Sequence, residues 1–332
     1  MTRLLFTLSC MCCCMWMLSP TSLAASSSWM DHAQPEPQLR YASGRILIKF
    51  TTRVDQQLKA DAQLQSLLGD GLKTAVPLAQ KRSVPLVAGV DRIVAVRVDD
   101  ATDIPLLAHK LSRLSTVEYA EPVLLYDLLP VGTKAPSKSM PGASPSATPN
   151  DPAWGGTAQE NMQRLQLEPA WDVIKGEATS PVVCVIDGGT NWQHEDLAAN
   201  MWVNPGEIAA NGIDDDNNGY IDDVNGWSFQ DDSGNVRGDW ANTPASANHG
   251  THTGGLLAAV TNNAIGLASA SWNPRLMAIN AAGSNDNSIA FGYSGIVYAA
   301  ENGADIVSLS WGGNSGSEAL QDIIDFAVSQ GV

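Results

Sequence analysis

The chain has 332 residues, 35 Asp and Glu against 19 Lys and Arg, and a formal net charge of −16 at pH 7. That length suits about two domains, and 44% hydrophobic content excludes a largely disordered chain. So few bases exclude nucleic acid and anionic lipid as partners, and half of the imbalance lies in residues 201–240, which hold nine acids and one base, Arg237.

The first 24 residues read as a secretory signal. Arg3 gives the positive start, Leu4 to Leu18 is an uncharged apolar run, and Ser22-Leu23-Ala24 sets cleavage after Ala24. The run is too short for a stable membrane anchor, so the expected destination is extracellular. Four of the five cysteines (Cys10, Cys12, Cys13 and Cys14) leave with the signal. Cys184 remains within an apolar run, reads as a small core residue, and has no partner for an internal disulfide. A bound metal is then a reasonable staple for an exported protein.

Residues 45–126 read as an α+β unit. Arg45–Phe50 is strand-like, Val54–Leu68 carries helical apolar spacing, and a weaker strand falls between Leu72 and Leu78. Asp91–Val98 alternates as a strand, Ile104–Leu114 is helical, and Val117–Tyr126 closes as a strand. The β-α-β-β-α-β order is the ferredoxin-like arrangement. Residues 130–150 then hold five prolines, four serines and no acid, an exposed linker open to proteolysis.

Residues 151–332 carry an α/β pattern. Helices are expected over Gln159–Ile174, His249–Val260, Ser288–Asn302 and Glu318–Ser329, and strands over Pro181–Ile186, Arg275–Ile279 and Asp305–Ser310. Strands apolar on both faces between helices imply a parallel sheet covered on both sides, with its chemistry at the carboxyl ends of the strands. Asp187 stands at such an end, followed by Gly188-Gly189. Asn248-His249-Gly250-Thr251-His252-Thr253-Gly254-Gly255 opens a helix with a histidine at its start. An Asp that orients a His, which takes a proton from a Ser, is one order of the catalytic triad. His249 and His252 lack the His-Glu-x-x-His spacing of zinc peptidases, which disfavours zinc.

The acidic stretch contains Asp214-x-Asp216-x-Asn218-Gly219-x-Ile221-Asp222, oxygen ligands at calcium-loop spacing followed by Gly at the sharp turn. The twelfth position is Asn225 rather than a bidentate Glu, and Asp223 is the nearby carboxylate that compensates. Ca2+ in a structural role is the expected cofactor, against the plainer reading of a solvated acidic loop.

These motifs together resemble the subtilisin-like serine peptidases, the subtilases. Val185–Leu197 is similar to their catalytic-Asp segment, His249-Gly-Thr-His252 to their catalytic-His motif, and Glu301–Gly313 to the strand and glycine loop lining the substrate cleft. The resemblance implies a parallel-sheet subtilisin-like catalytic domain over 151–332, with Asp187 and His249 catalytic and Ser310, Trp311 and Gly312 bordering the substrate pocket. It implies protein or peptide substrates, and a second calcium site at Asp196 and Asn263. Val117-Glu-Tyr-Ala-Glu-Pro122 resembles the end of subtilase propeptides. Residues 25–129 are thus expected to be a propeptide with a ferredoxin-like domain, an intramolecular inhibitor whose tail enters the cleft, with autocleavage between Leu129 and Asn150.

Three departures stand out. Gly188 replaces the family's Ser or Thr and removes a hydroxyl beside Asp187, and Thr253-Gly254 replaces Val-Ala, read here as a packing change. The family's oxyanion Asn and its Gly-Thr-Ser-Met-like nucleophile segment are missing, and no Gly-Thr-Ser occurs in the 332 residues. The expectation is a precursor truncated within its catalytic domain and inactive as it stands. The alternative is a non-catalytic exported calcium-binding protein on a subtilase scaffold.

Overall fold

The computed structural model describes residues 39–52, 66–79, 87–129, 147–175, 180–238, 244–283, 287–313 and 315–332. The expected signal, most of the Val54–Leu68 helix and most of the Pro-rich linker lie outside the described residues. Among the described residues, no helix is long and apolar enough to cross a membrane.

The first sheet is built from β1 (Tyr41–Phe50), β2 (Thr74–Pro77), β3 (Ile93–Arg97) and β4 (Val117–Leu124), in the order β2-β3-β1-β4 with every pairing antiparallel. The Ile46-Leu47-Ile48 run of β1 is apolar without alternation because both faces of the strand are covered. Ile46, Ile48 and Phe50 pack with helix α1 (Ile104–Leu111), while Leu47 joins the core of the C-terminal region. Helix α1 presents Ile104, Leu107, Ala108 and Leu111 to the sheet, one face of a 3.6-residue period. It starts where the Asp103 carboxylate accepts the Leu106 N–H at 3.0 Å. It ends at Leu111, short of the expected Leu114.

Two short helices, α2 (Glu160–Arg164) and α3 (Leu167–Trp171), replace the single helix expected over Gln159–Ile174. Gln166 turns left-handed at φ +56°, and Pro169 has no N–H to return to Leu165, so the period breaks there. The second sheet is wholly parallel, in the order β10-β6-β8-β7: β6 (Val182–Asp187), β7 (Gly226–Ser228), β8 (Arg275–Asn280) and β10 (Ile306–Ser308). Cys184 and Ile186 face one core and Val185 the other, and Cys184 is fully buried, as the apolar run required. The three-residue β7 had no signal in the sequence pattern.

Three further helices cover this sheet. Helix α4 spans Pro244–Ala258, five residues earlier than expected, so His249 lies in its second turn rather than at its start. Helix α5 spans Gly292–Glu301, because Ser288–Ile289 form a strand of their own, β9. Helix α6 spans Glu318–Ser329 as the spacing predicts, capped by Ser317, whose Oγ accepts the Leu320 N–H at 3.0 Å. A third sheet, β11-β5-β9, is discontinuous in sequence: β5 (Tyr126–Leu128) pairs antiparallel with β9 on one side and β11 (Trp311–Gly312) on the other.

The first sheet is fastened to α6 by polar contacts. Lys49, although nearly buried, reaches Asp322 at 2.8 Å and Glu118 at 3.0 Å, and the Tyr119 hydroxyl donates to Asp322 at 2.8 Å. Glu121 accepts the Glu318 N–H at 3.3 Å, at the positive end of the helix dipole.

Backbone packing in the parallel sheet leaves no room at Gly226, where φ is +122° and an added Cβ would lie 1.9 Å from the Ala278 carbonyl oxygen. Gly226→Ala is expected to cost more than ~3 kcal/mol in urea denaturation. Gly303→Ala, at φ +80° but with open space around it, is expected to cost ~1 kcal/mol.

Candidate active site

Strand β6 ends on Asp187, whose side chain is fully buried. Its Oδ1 accepts the Gly188 N–H at 2.7 Å, and both carboxylate oxygens lie 2.9 Å from His249 Nδ1. The helix carrying His249 reaches Asp187 because of Gly250. A Cβ at that position would lie 2.2 Å from the Gly189 carbonyl oxygen and 3.0 Å from the Asp187 Cβ. One helical turn beyond His249, the Thr253 hydroxyl stands 3.3 Å from Asp187 Oδ2, and also 3.1 Å from the His249 carbonyl. Thr253 is therefore more than the packing change expected from its place in the motif. Its hydroxyl sits beside the carboxylate whose neighbouring hydroxyl Gly188 removes, and its i+4 spacing from His249 was the available signal.

His249 Nε2 is 2.9 Å from the carbonyl oxygen of Leu129. Carboxylate and carbonyl oxygens only accept, so both ring nitrogens donate and the imidazolium form fits this arrangement. The hydrogen bond to Asp187 raises the His249 pKa; burial opposes it, and the Asp187 charge and the Leu129 carbonyl add to it. His252, on the exposed side of the same helix, is shifted down by partial loss of solvent and by the His249 charge.

Leu129 continues β5, and its N–H donates to the Ser310 carbonyl at 2.9 Å. Leu128 pairs with Trp311, Asp127 with Gly312 and Ser288, and Tyr126 with Ile289. The three residues expected to border the pocket thus form one wall of a groove holding an extended peptide, with β9 as the other wall. Trp311 is fixed from beneath, its indole N–H donating to the Ile186 carbonyl at 2.8 Å. A tail in the cleft is the expected arrangement, whereas the contact of the Leu129 carbonyl with His249 and the β9 wall carry no signal in the sequence.

The acidic loop folds differently from the expected ligand set. Asp214 and Asp216 converge with Glu207, with one carboxylate oxygen from each within 4.8 Å of the others. Glu207 precedes the loop, where no loop-spacing template looks. Asp222, at φ +55°, turns away and accepts the N–H groups of Asn211 and Gly212 at 3.0 and 2.9 Å. Asp223 is fully buried and accepts from Asn204, Asn218 and the Tyr298 hydroxyl. Asn218 turns its amide N–H2 toward Asp216 and Asp223, while its Oδ1 accepts the Tyr220 N–H at 2.8 Å. Burial pushes the Glu207 carboxyl up, the N–H groups of Asp216 and Asp215 that it accepts pull it down, and the charges of Asp223 and Asp216 add to the rise. Asp196 and Asn263 are brought together, with the Asn263 amide donating to Asp196 at 2.9 Å.

Residues 178–332 match the subtilase family, peptidase S8. Thermitase from Thermoactinomyces vulgaris is 31% identical over 189 residues, 55% of this chain and 55% of thermitase. The thermophilic serine proteinase of Bacillus sp. strain AK1 is 27% identical over 296 residues, 88% of this chain and 57% of that protein. The chain therefore spans somewhat more than half the length of these curated relatives. Among solved structures, fervidolysin from Fervidobacterium pennivorans, described as a keratinolytic enzyme related to subtilisin, superposes with a TM-score of 0.60 at 17% identity. It covers 88% of this chain and 39% of fervidolysin, a likeness of fold.

Because the folded pKa of His249 is raised, its protonation stabilises the fold fully below the ordinary histidine value of about 6.5, and this contribution fades as pH climbs through the raised value. Asp187→Asn is expected to lower the His249 pKa in an NMR titration of the imidazole signals and to flatten that dependence. An unchanged titration would remove Asp187 as its cause.

Proposed function

Residues 178–332 are a subtilase domain, and from that premise we propose that the whole protein is an exported serine endopeptidase in which Asp187 orients His249. His249 is the general base toward a serine hydroxyl and then the general acid toward the leaving amine, and hydrolysis runs through an acyl-enzyme. The serine and the oxyanion Asn belong to family segments that these 332 residues do not supply. The observation that carries the reading is the buried Asp187–His249 pair at 2.9 Å, with a peptide carbonyl 2.9 Å from the other ring nitrogen. A main chain paired along Trp311–Gly312 and Ser288–Ile289 is how an extended substrate would be held, by backbone hydrogen bonds that tolerate many side chains.

In this reading residues 25–129 are a propeptide with a ferredoxin-like domain, and the Leu129 carbonyl engages the imidazole that a serine hydroxyl needs. The antiparallel order β2-β3-β1-β4 with α1 on one face supports the domain assignment, and the Pro-rich 130–150 segment supplies the cleavage region. The charged start and apolar run of residues 1–24 support export.

Calcium is the proposed structural ion. Glu207, Asp214 and Asp216 are the ligands the geometry favours, because three convergent carboxylates suit a hard divalent cation. Asn218, Asp222 and Asp223 serve instead as the scaffold of that loop. Asp196 and Asn263 form a second candidate pair, in which the amide would have to rotate to present its oxygen.

In the whole protein, His249→Ala is expected to lower kcat for peptide hydrolysis by about 10⁴-fold or more with little change in KM. Retained activity would defeat the peptidase reading. Calcium at a hundredfold excess over its Kd is expected to add ~2.7 kcal/mol, or roughly 5–10 °C in Tm. A chelator should reverse that gain and Asp216→Asn should abolish it; a Tm indifferent to calcium would remove the ion from the account.

A further inference from the structure

We propose that the peptide bond presented to His249, Leu129–Pro130, is one the site cannot cut, so that Pro130 decides where this chain is processed. The tail in the cleft is then held without being consumed, and the releasing cut falls beyond Pro130. The proposal rests on the peptidase reading above.

The register of the tail singles out one bond. Tyr126 and Asp127 pair with Ile289 and Ser288, Asp127 and Leu128 with Gly312 and Trp311, and the Leu129 N–H donates to the Ser310 carbonyl at 2.9 Å. A slip of one residue would turn Tyr126 out of the place where it is 4% exposed, between the rings of Trp311 and Tyr293. A slip of two would set Leu124 or Leu128 against the Tyr293 hydroxyl, which now shares a 3.0 Å hydrogen bond with that of Tyr126. The carbonyl that meets His249 Nε2 is therefore that of Leu129, and the next atom along the chain is the nitrogen of Pro130.

Cutting that bond makes demands on the nitrogen. The serine oxygen bonds to the Leu129 carbonyl carbon while its proton passes to His249 Nε2. The C–N bond then breaks, the carbonyl re-forms as an ester, and the same proton goes to the departing nitrogen. The nitrogen must turn its lone pair to the imidazolium as it leaves. An ordinary amide nitrogen carries only a hydrogen besides its Cα and has room to turn. The proline nitrogen carries ring carbon Cδ in place of that hydrogen, and the ring locks its φ near −65°. The adduct then returns to serine and intact amide. A misfit of about 1 Å at such a step costs about 10²-fold in rate.

The same residue favours docking. A proline steers the residue before it toward extended backbone, which suits the pairing of Leu129 with Ser310 and leaves less freedom to lose when the tail settles. Tight seating and blocked turnover together distinguish an inhibitor from a substrate.

In the whole protein, mass spectrometry of the released N-terminal piece is expected to show an end beyond Pro130, and Pro130→Ala to move that end to Leu129. A piece ending at Leu129 in the unaltered protein would overturn the proposal, as would a Pro130→Ala protein still cut only downstream. Synthetic peptides of residues 121–134 separate binding from turnover. The natural peptide should inhibit hydrolysis of a fluorogenic peptide and stay intact, whereas the P130A peptide should be cut after Leu129 about 10²-fold faster or more. Equal cutting of the two would sink the idea. If the fluorogenic peptide is not hydrolysed at all, the peptidase reading fails and the blocked cut fails with it. Docking is read independently in the 332-residue chain, where the Leu129 N–H exchanges only when the tail leaves Ser310. Pro130→Ala should speed that exchange by about two- to fivefold, and an unchanged rate would remove Pro130 from the seating of the tail.

Discussion

The closest approach between helix α4 and the end of strand β6 governs the site, and Gly250 is what permits it. With no side chain there, the helix backbone comes down on Gly189 and Asp187, and the residue one step earlier, His249, is delivered to the carboxylate. Any side chain at Gly250 would lift the helix and part the pair. Gly254, one turn along, repeats the device against Leu276. The small residues of α4 therefore set a distance, and the chemistry of Asp187 and His249 is downstream of that distance.

The groove in front of His249 is built on the same logic of close backbones. Its walls are two-residue strands, too short to stand as a sheet by themselves, and β5 completes them. What brings β5 there is a rigid platform rather than the tail's own affinity. β1 and β4 dock through Lys49 and Tyr119 on Asp322, with Glu121 at the start of α6, and the chain leaves that platform directly into the cleft. Glu121 serves two ends at once, because the residue that joins the helix terminus to the first sheet also accepts the Ser317 hydroxyl, to which the Tyr293 hydroxyl beside Tyr126 donates.

Long-period features were legible in the sequence, and local geometry was not. The unbroken apolar runs at 181–186 and 276–279 read as buried parallel strands because burial on both faces leaves no alternation to mislead. The Glu318–Ser329 helix had both a cap residue and a clean period. By contrast, β7, β9 and β11 span two or three residues, below any periodic signal, and exist because a neighbour offers hydrogen bonds. The break at Gln166 is a backbone conformation that the apolar pattern does not encode. At the site, Asp187 and His249 stood in motifs, whereas Leu129 is joined to them by a fold-level route through a carbonyl that every residue has. Glu207 escaped for a related reason: a loop template counts forward from Asp214, and the third carboxylate comes from behind. Asp222 and Asp223 matched the spacing, but spacing does not say which way a side chain turns.

The tail in the groove is covalently part of the molecule that binds it. Residues 130–146 join Leu129 to the rest of the chain, so the groove meets its occupant at an effective concentration of order millimolar, whatever the protein concentration. Occupancy is then insensitive to dilution, and a competing peptide in solution faces a rival that never diffuses away. A single cut in that connection turns the same contacts into a bimolecular equilibrium, governed by dilution and by whatever destroys the released piece. A change of state in the groove thus requires no rearrangement of the groove itself, only the loss of one peptide bond at a distance from it.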